Sequence, residues 1–119
     1  MSKKLNTEFA VIYRGYLKTG KEDAYKTAWQ IVATYFVKER GAIGSCLHKT
    51  DDELWIAYSR WPDQKTHAAS WPKDNAIPAD FPLPIKEAIM TIKDSLDPDR
   101  KLPDIYMEVV SDLLLKKEA

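Results

Sequence analysis

Histidine and cysteine are the residue types most often used for metal and covalent chemistry, and their placement here suits neither. The two histidines, His48 and His67, lie far apart, and neither has a second histidine three or four residues away. The lone Cys46 has no Cys-x-x-Cys partner, so no zinc signature exists and no metal is expected. Cys46 and His48 share one face of a predicted strand, but a single strand cysteine reads as core filler. Placed on a strand rather than at a helix start, it carries no sequence signal of a reactive thiol. Ser45 and Ser59 lack the Gly-x-Ser-x-Gly elbow of serine hydrolases, and Gly41-Ala-Ile-Gly44 is too short and wrongly placed for a phosphate loop. The acidic pairs Glu22-Asp23 and Asp51-Asp52 fit a helix start and a turn. What remains is aromatic: four tryptophans, six tyrosines and three phenylalanines, most of which must fill a core.

The elements that position these residues follow from periodicity. Phe9 to Leu17 is a β-prone run, and Lys21 to Arg40 carries an apolar stripe at Tyr25, Ala28, Trp29, Val32 and Phe36, the spacing of one helix face. Thr19 and Glu22 have capping-box spacing before that helix, and Gly41 suits the left-handed position that ends it. Gly41 to His48 and Leu54 to Trp61 then read as a hairpin around a four-residue loop, Thr50 to Glu53. That loop length predicts Lys49 opposite Leu54, His48 opposite Trp55 and Leu47 opposite Ile56.

Pro62 starts a short helix. Four of the seven prolines, Pro72, Pro78, Pro82 and Pro84, crowd a segment best read as a connector. A second helical stripe, Ile85, Ala88, Ile89, Ile92 and Leu96, follows, and Ile105 to Leu115 gives a final strand. The order β-α-β-β-α-β is that of a ferredoxin-like α+β fold with one antiparallel four-stranded sheet, and residues 1–119 make one such domain. Neither face of the strands is clearly polar. A sheet with helices on one side should show polar alternation on the other, so a second copy of the chain is the economical cover, and a homodimer is expected.

Eighteen basic and eighteen acidic residues cancel, which argues against nucleic acid or an anionic membrane as partner. No apolar stretch is long enough to span a bilayer, and Met1 to Glu8 lacks the apolar core of a signal peptide, so a cytoplasmic protein is expected.

Phe9-Ala-Val-Ile-Tyr-Arg-Gly15, Lys18-Thr-Gly-Lys-Glu22, Trp29, Gly41-Ala-Ile-Gly-Ser45, Leu47-His48 and Ile56-Ala-Tyr-Ser-Arg-Trp-Pro62 together resemble the antibiotic biosynthesis monooxygenase domains of the dimeric α/β-barrel superfamily. The resemblance covers roughly residues 8 to 72. It implies the dimer again, and a cofactor-independent oxygenase acting on a small planar aromatic or otherwise oxidisable substrate that, once deprotonated, itself supplies the electron to oxygen. Trp61 matches the cavity-lining tryptophan that ends the third strand of such oxygenases. Within this resemblance Tyr13 or Tyr58 would hydrogen-bond the substrate oxygen, and Arg14 or His48 would stabilise its anion. No cofactor is implied.

The chain departs from the family in one place that matters. The oxygenases carry an asparagine on the strand face of their tryptophan, where this chain has Trp55, Ala57 and Ser59, so a hydroxyl of Ser59 or Tyr58 would have to substitute. That loss favours a second reading, a non-catalytic ligand-binding or interaction domain of the same fold. A third, haem degradation, would need a helix histidine as haem ligand, and neither His48 nor His67 can be matched to it.

Overall fold

In a computed structural model describing residues 8–71 and 77–114, four strands form one antiparallel sheet. They are β1 (Phe9–Gly15), β2 (Gly44–Lys49), β3 (Trp55–Trp61) and β4 (Ile105–Glu108), in the spatial order β2-β3-β1-β4. Helix α1 (Glu22–Glu39) joins β1 to β2. Helices α2 (Gln64–Ser70) and α3 (Leu83–Ser95) lie between β3 and β4. This is the ferredoxin-like order expected, with the second helical layer divided in two. Pro72 and the Leu115 end of the last run lie outside the described residues.

The stripes pack as their spacing requires. Tyr25, Ala28, Val32 and Phe36 of α1 and Ile85, Ala88 and Ile89 of α3 are buried against Phe9, Val11 and Trp61 of the sheet. The proline-rich connector also joins this core. Phe81 is buried with its ring edge towards Tyr35 and Phe36, and the Arg40 guanidinium lies 5.1 Å above it.

The ends of α1 come out unequally. Gly41 does adopt a left-handed conformation, with φ 86°, after the last turn. The expected Thr19–Glu22 capping box does not form: Lys21 is the N-cap, with no side-chain cap bond. Residues 18–21 instead close a turn in which the Lys21 N–H donates to the Lys18 carbonyl at 3.3 Å and Gly20 takes φ 80°. That geometry is of the type II kind and uses up the residues the cap needed. Glu22 is drawn to Lys49, 3.1 Å away.

The hairpin register also differs from expectation. Lys49 pairs with Trp55, His48 with Ile56 and Leu47 with Ala57. The loop is three residues, Asp51 to Glu53. The Glu53 N–H donates to the Thr50 carbonyl, and Glu53 has φ 71°. A turn followed by one left-handed residue is a standard three-residue hairpin, and Thr50 extends the ladder by donating its N–H to the Leu54 carbonyl at 2.9 Å.

Candidate functional site

Strand register decides which side chains can meet. Trp55, Ala57, Ser59 and Trp61 of β3 are buried under the helices. Their partners Tyr13, Val11 and Phe9 on β1, and Ser45 and Leu47 on β2, therefore share that face. Ile12, Arg14, Cys46, His48, Ile56, Tyr58 and Arg60 point to the other, open face. The five residues singled out from sequence are thus divided, with Tyr13 and Trp61 on the helix side and Arg14, Tyr58 and His48 on the open side, although Arg14 and Tyr58 also contribute to the lining of the cavity under the helices.

Under the helices lies a cavity of about 450 Å³, within the range usual for small-ligand sites. Its floor exists because the sheet residues there are small: Gly15, Ser45, Ala57 and Ser59 leave unfilled the space a larger side chain would take. Trp29, Val32 and Phe36 of α1 and Ile89 and Ile92 of α3 form the roof. Trp71 and Lys93 stand together at its edge, the ammonium 5.7 Å from the indole. Leu102, Lys101 and Asp104, ahead of β4, complete the rim. The end beyond Gly15 is held by the isolated bridge between Leu17 and Leu96. A larger groove of about 640 Å³ opens at the hairpin end, but its walls include the solvated charges Lys18, Glu22, Asp23, Asp52, Glu53 and Arg100. It offers water contact rather than a dry binding surface.

Trp61 is fully buried and sits one layer behind the cavity wall rather than on it. Its ring packs on Phe36 and edge-on to His67, with centroids 5.6 and 5.2 Å away. Its indole N–H donates to Ser59 Oγ at 2.8 Å. A hydroxyl accepting there keeps its own proton for another acceptor, so Trp61 orients Ser59, which does line the cavity. Tyr13 lines it too, and its hydroxyl shares a 2.7 Å hydrogen bond with His67 Nε2. Burial pushes the Tyr13 phenol far above its ordinary range, with a further push from the Asp104 carboxylate, and lowers the pKa of His67. Both partners are uncharged at neutral pH.

His67, weighed from sequence only as a metal or haem ligand, is instead buried against the helix-side core. Its helix turns inward a polar face, His67 and Ser70, and leaves Ala68 and Ala69 exposed. The available signal was Asp63, whose carboxylate accepts the Thr66 N–H at 2.7 Å and so fixes the phase of α2. Phe9, Tyr13, Trp61 and Tyr106 surround the imidazole.

On the open face the side chains of Arg14, Tyr58 and His48 have partners of their own. Arg14 donates through Nε and Nη2 to the Pro103 carbonyl, at 3.3 and 2.9 Å, anchoring the approach to β4. The Tyr58 hydroxyl accepts from Arg60 Nε at 3.0 Å, and Arg60 also pairs with Glu8 and Asp112. His48 is exposed on an edge strand, its Nδ1 3.2 Å from the Ile56 carbonyl. Cys46 is exposed rather than core, because its strand position faces away from the helices. Among the described residues no histidine lines the cavity. Among the described residues no helix is long and apolar enough to cross a membrane.

No protein-family model and no curated protein matches the sequence. Solved structures do match the fold. One is a protein from Caulobacter crescentus, provisionally named an antibiotic biosynthesis monooxygenase, with TM-score 0.67 and 9% identity over 89% of this chain and 92% of that one. A conserved protein from Methanosarcina mazei has TM-score 0.64 and 14% identity over 86% and 92% of the two chains. SnoaB, a cofactor-independent oxygenase from Streptomyces nogalater, in a mutant form, has TM-score 0.61 and 10% identity over 92% and 98%. At these identities the likeness is one of fold, and the fold is the ferredoxin-like one of monooxygenases of this kind.

Proposed function

We propose that the chain is a cofactor-independent monooxygenase that binds a small planar aromatic substrate in the cavity between sheet and helices. The observation that carries this reading is the cavity itself: a space of about 450 Å³, floored by small residues, roofed by apolar ones and rimmed by charged groups such as Lys93, Lys101 and Asp104. Such a site holds a flat ring by burial and orients it through the rim. Its wall holds Ser59, whose hydroxyl, set by Trp61, is the donor available where the oxygenases use an amide. Tyr13 acts from the wall as an uncharged phenol tied to His67.

In the reaction, one atom of dioxygen replaces two hydrogens of the substrate as a carbonyl oxygen, and the other leaves as water. The substrate supplies all the electrons. The protein's part is to exclude water, fix the ring and stabilise the substrate anion.

The exposed apolar residues of the open face and of the chain beyond β4, among them Ile105, Val110, Leu113 and Leu114, favour a homodimer closed over that face. The test of function is oxygen uptake by the purified chain with a panel of planar phenols, with chelator present. Saturable uptake, with one labelled oxygen atom incorporated into product, is expected.

One observation favours a second reading, a ligand-binding domain without catalysis: no described residue lining the cavity carries a side-chain amide. Tight binding with no oxygen uptake would select it.

A further inference from the structure

Asp104 stands at the cavity rim, where its carboxylate borders the space a ligand would fill. The β1–β4 pairing runs from Phe9 opposite Glu108 to Ile12 opposite Ile105. Continued by one residue, it brings Asp104 across from Tyr13 on the helix side of the sheet. The bonds from Arg14 to the Pro103 carbonyl hold that approach in place. Asp104 lines the cavity and is half-buried. We propose, on the reading that this cavity is the binding site, that Asp104 accepts a hydrogen bond from a ring hydroxyl of the ligand and so restricts the site to planar phenols over bare arenes.

The neighbouring groups leave the carboxylate available. The Tyr13 hydroxyl is engaged by His67. The Tyr106 hydroxyl faces Asp104 from β4, and the charges of Arg14 on β1 and of Lys101 in the approaching loop act on it. A carboxylate has about four lone-pair sites, so Tyr106 leaves room for a ligand donor. Lys93 of α3 lines the same cavity, which places a further cation beside any negative charge that a bound phenol develops. The opposite wall, Trp29, Ile89 and Ile92, can pack a ring but offers no side-chain acceptor for its hydroxyl proton. A hydroxyl bound inside loses its water partner unless a lining acceptor replaces it, and of the two lining carboxylates Asp97 is already engaged by Arg100 and the Asp99 N–H, which leaves Asp104 as the stronger candidate. Burial raises the Asp104 pKa, against the opposing pull of Tyr106, Arg14 and Lys101. The carboxylate is therefore protonated at a higher pH than a fully exposed aspartate would be.

The experiment compares 2-naphthol with naphthalene by calorimetric titration of the full chain and of Asp104→Asn and Asp104→Ala. The parent should prefer 2-naphthol by about tenfold or more, as expected for a hydrogen bond to a charged acceptor. Both variants should bind naphthalene as the parent does, which also shows that their cavities are intact, and Asp104→Ala should lose the preference. The parent's preference should also fade as pH falls through the carboxylate titration, with naphthalene binding unchanged. A parent that binds both rings equally, or an Asp104→Ala variant that keeps the full preference, overturns the assignment of Asp104 and leaves the cavity reading standing. A parent that binds neither ring overturns both.

Discussion

Trp61 and His67 meet edge to face at the centre of the helix-side core, and each lends itself to a direct test. Deleting a large buried aromatic costs about 3 to 5 kcal/mol. Trp61→Ala should fall in that range in denaturant unfolding and Trp61→Phe well below it, and a loss under about 1 kcal/mol for Trp61→Ala would contradict its placement as core. His67 titrates in the opposite sense to a salt-bridged histidine. Its folded pKa lies below the ordinary 6.5 because burial disfavours the charged ring. The unfolded chain therefore binds the proton first, and stability is full above 6.5 and declines as pH falls from there towards the folded value. Melting temperature should drop across that window, and His67→Gln should flatten the drop. An unchanged pH dependence in the variant would show that the imidazole is not the group responsible. Trp61 was legible from its strand end, but its service to Ser59 was not, because a hydrogen bond between residues two apart depends on rotamers rather than on pattern. Arg14, Tyr58 and His48 could not be assigned to a face for a plainer reason: alternation told which residues share a face, while both faces of the strands are apolar enough that nothing said which face the helices cover.

The elements were largely readable because their periods are strong. The stripes of α1 and α3 and the β-prone runs reach the structure with end shifts of a few residues, apart from the last run, whose strand stops at Glu108. The local errors arose where one residue in a left-handed conformation changes the count. Glu53 takes φ 71° where a four-residue loop had been expected, which shifts every pairing in the hairpin by one. A non-glycine residue held there carries a conformational cost of about 1 kcal/mol. Glu53→Gly should accordingly raise stability by a few tenths to about 1 kcal/mol in chemical denaturation. A clear loss instead would place the left-handed residue elsewhere and revive the four-residue loop.

At the scale of the whole molecule, two surfaces of one sheet are asked to do different things. The helix side encloses the cavity, and the open side carries Ile12, Ile56 and Ile105 beside the Arg60 cluster with Glu8 and Asp112. A homodimer across that side should bury roughly 2,000 Å² or more in total, as obligate interfaces do. Light scattering should report twice the chain mass at micromolar concentration, and Ile56→Asp should yield a folded monomer. A parent that is monomeric would contradict the dimer without touching the cavity. The central claim concerns that cavity, and it is tested most directly by blocking its floor. Ala57 is small, buried and part of the lining, so Ala57→Leu should fill the space with little loss of stability. The decisive measurement is calorimetric titration of 2-naphthol into the parent and into Ala57→Leu, with the melting temperature of each as a check. Saturable binding by the parent and none by the folded variant is the expected result. Equal binding by both, or no binding by the parent, would contradict the account.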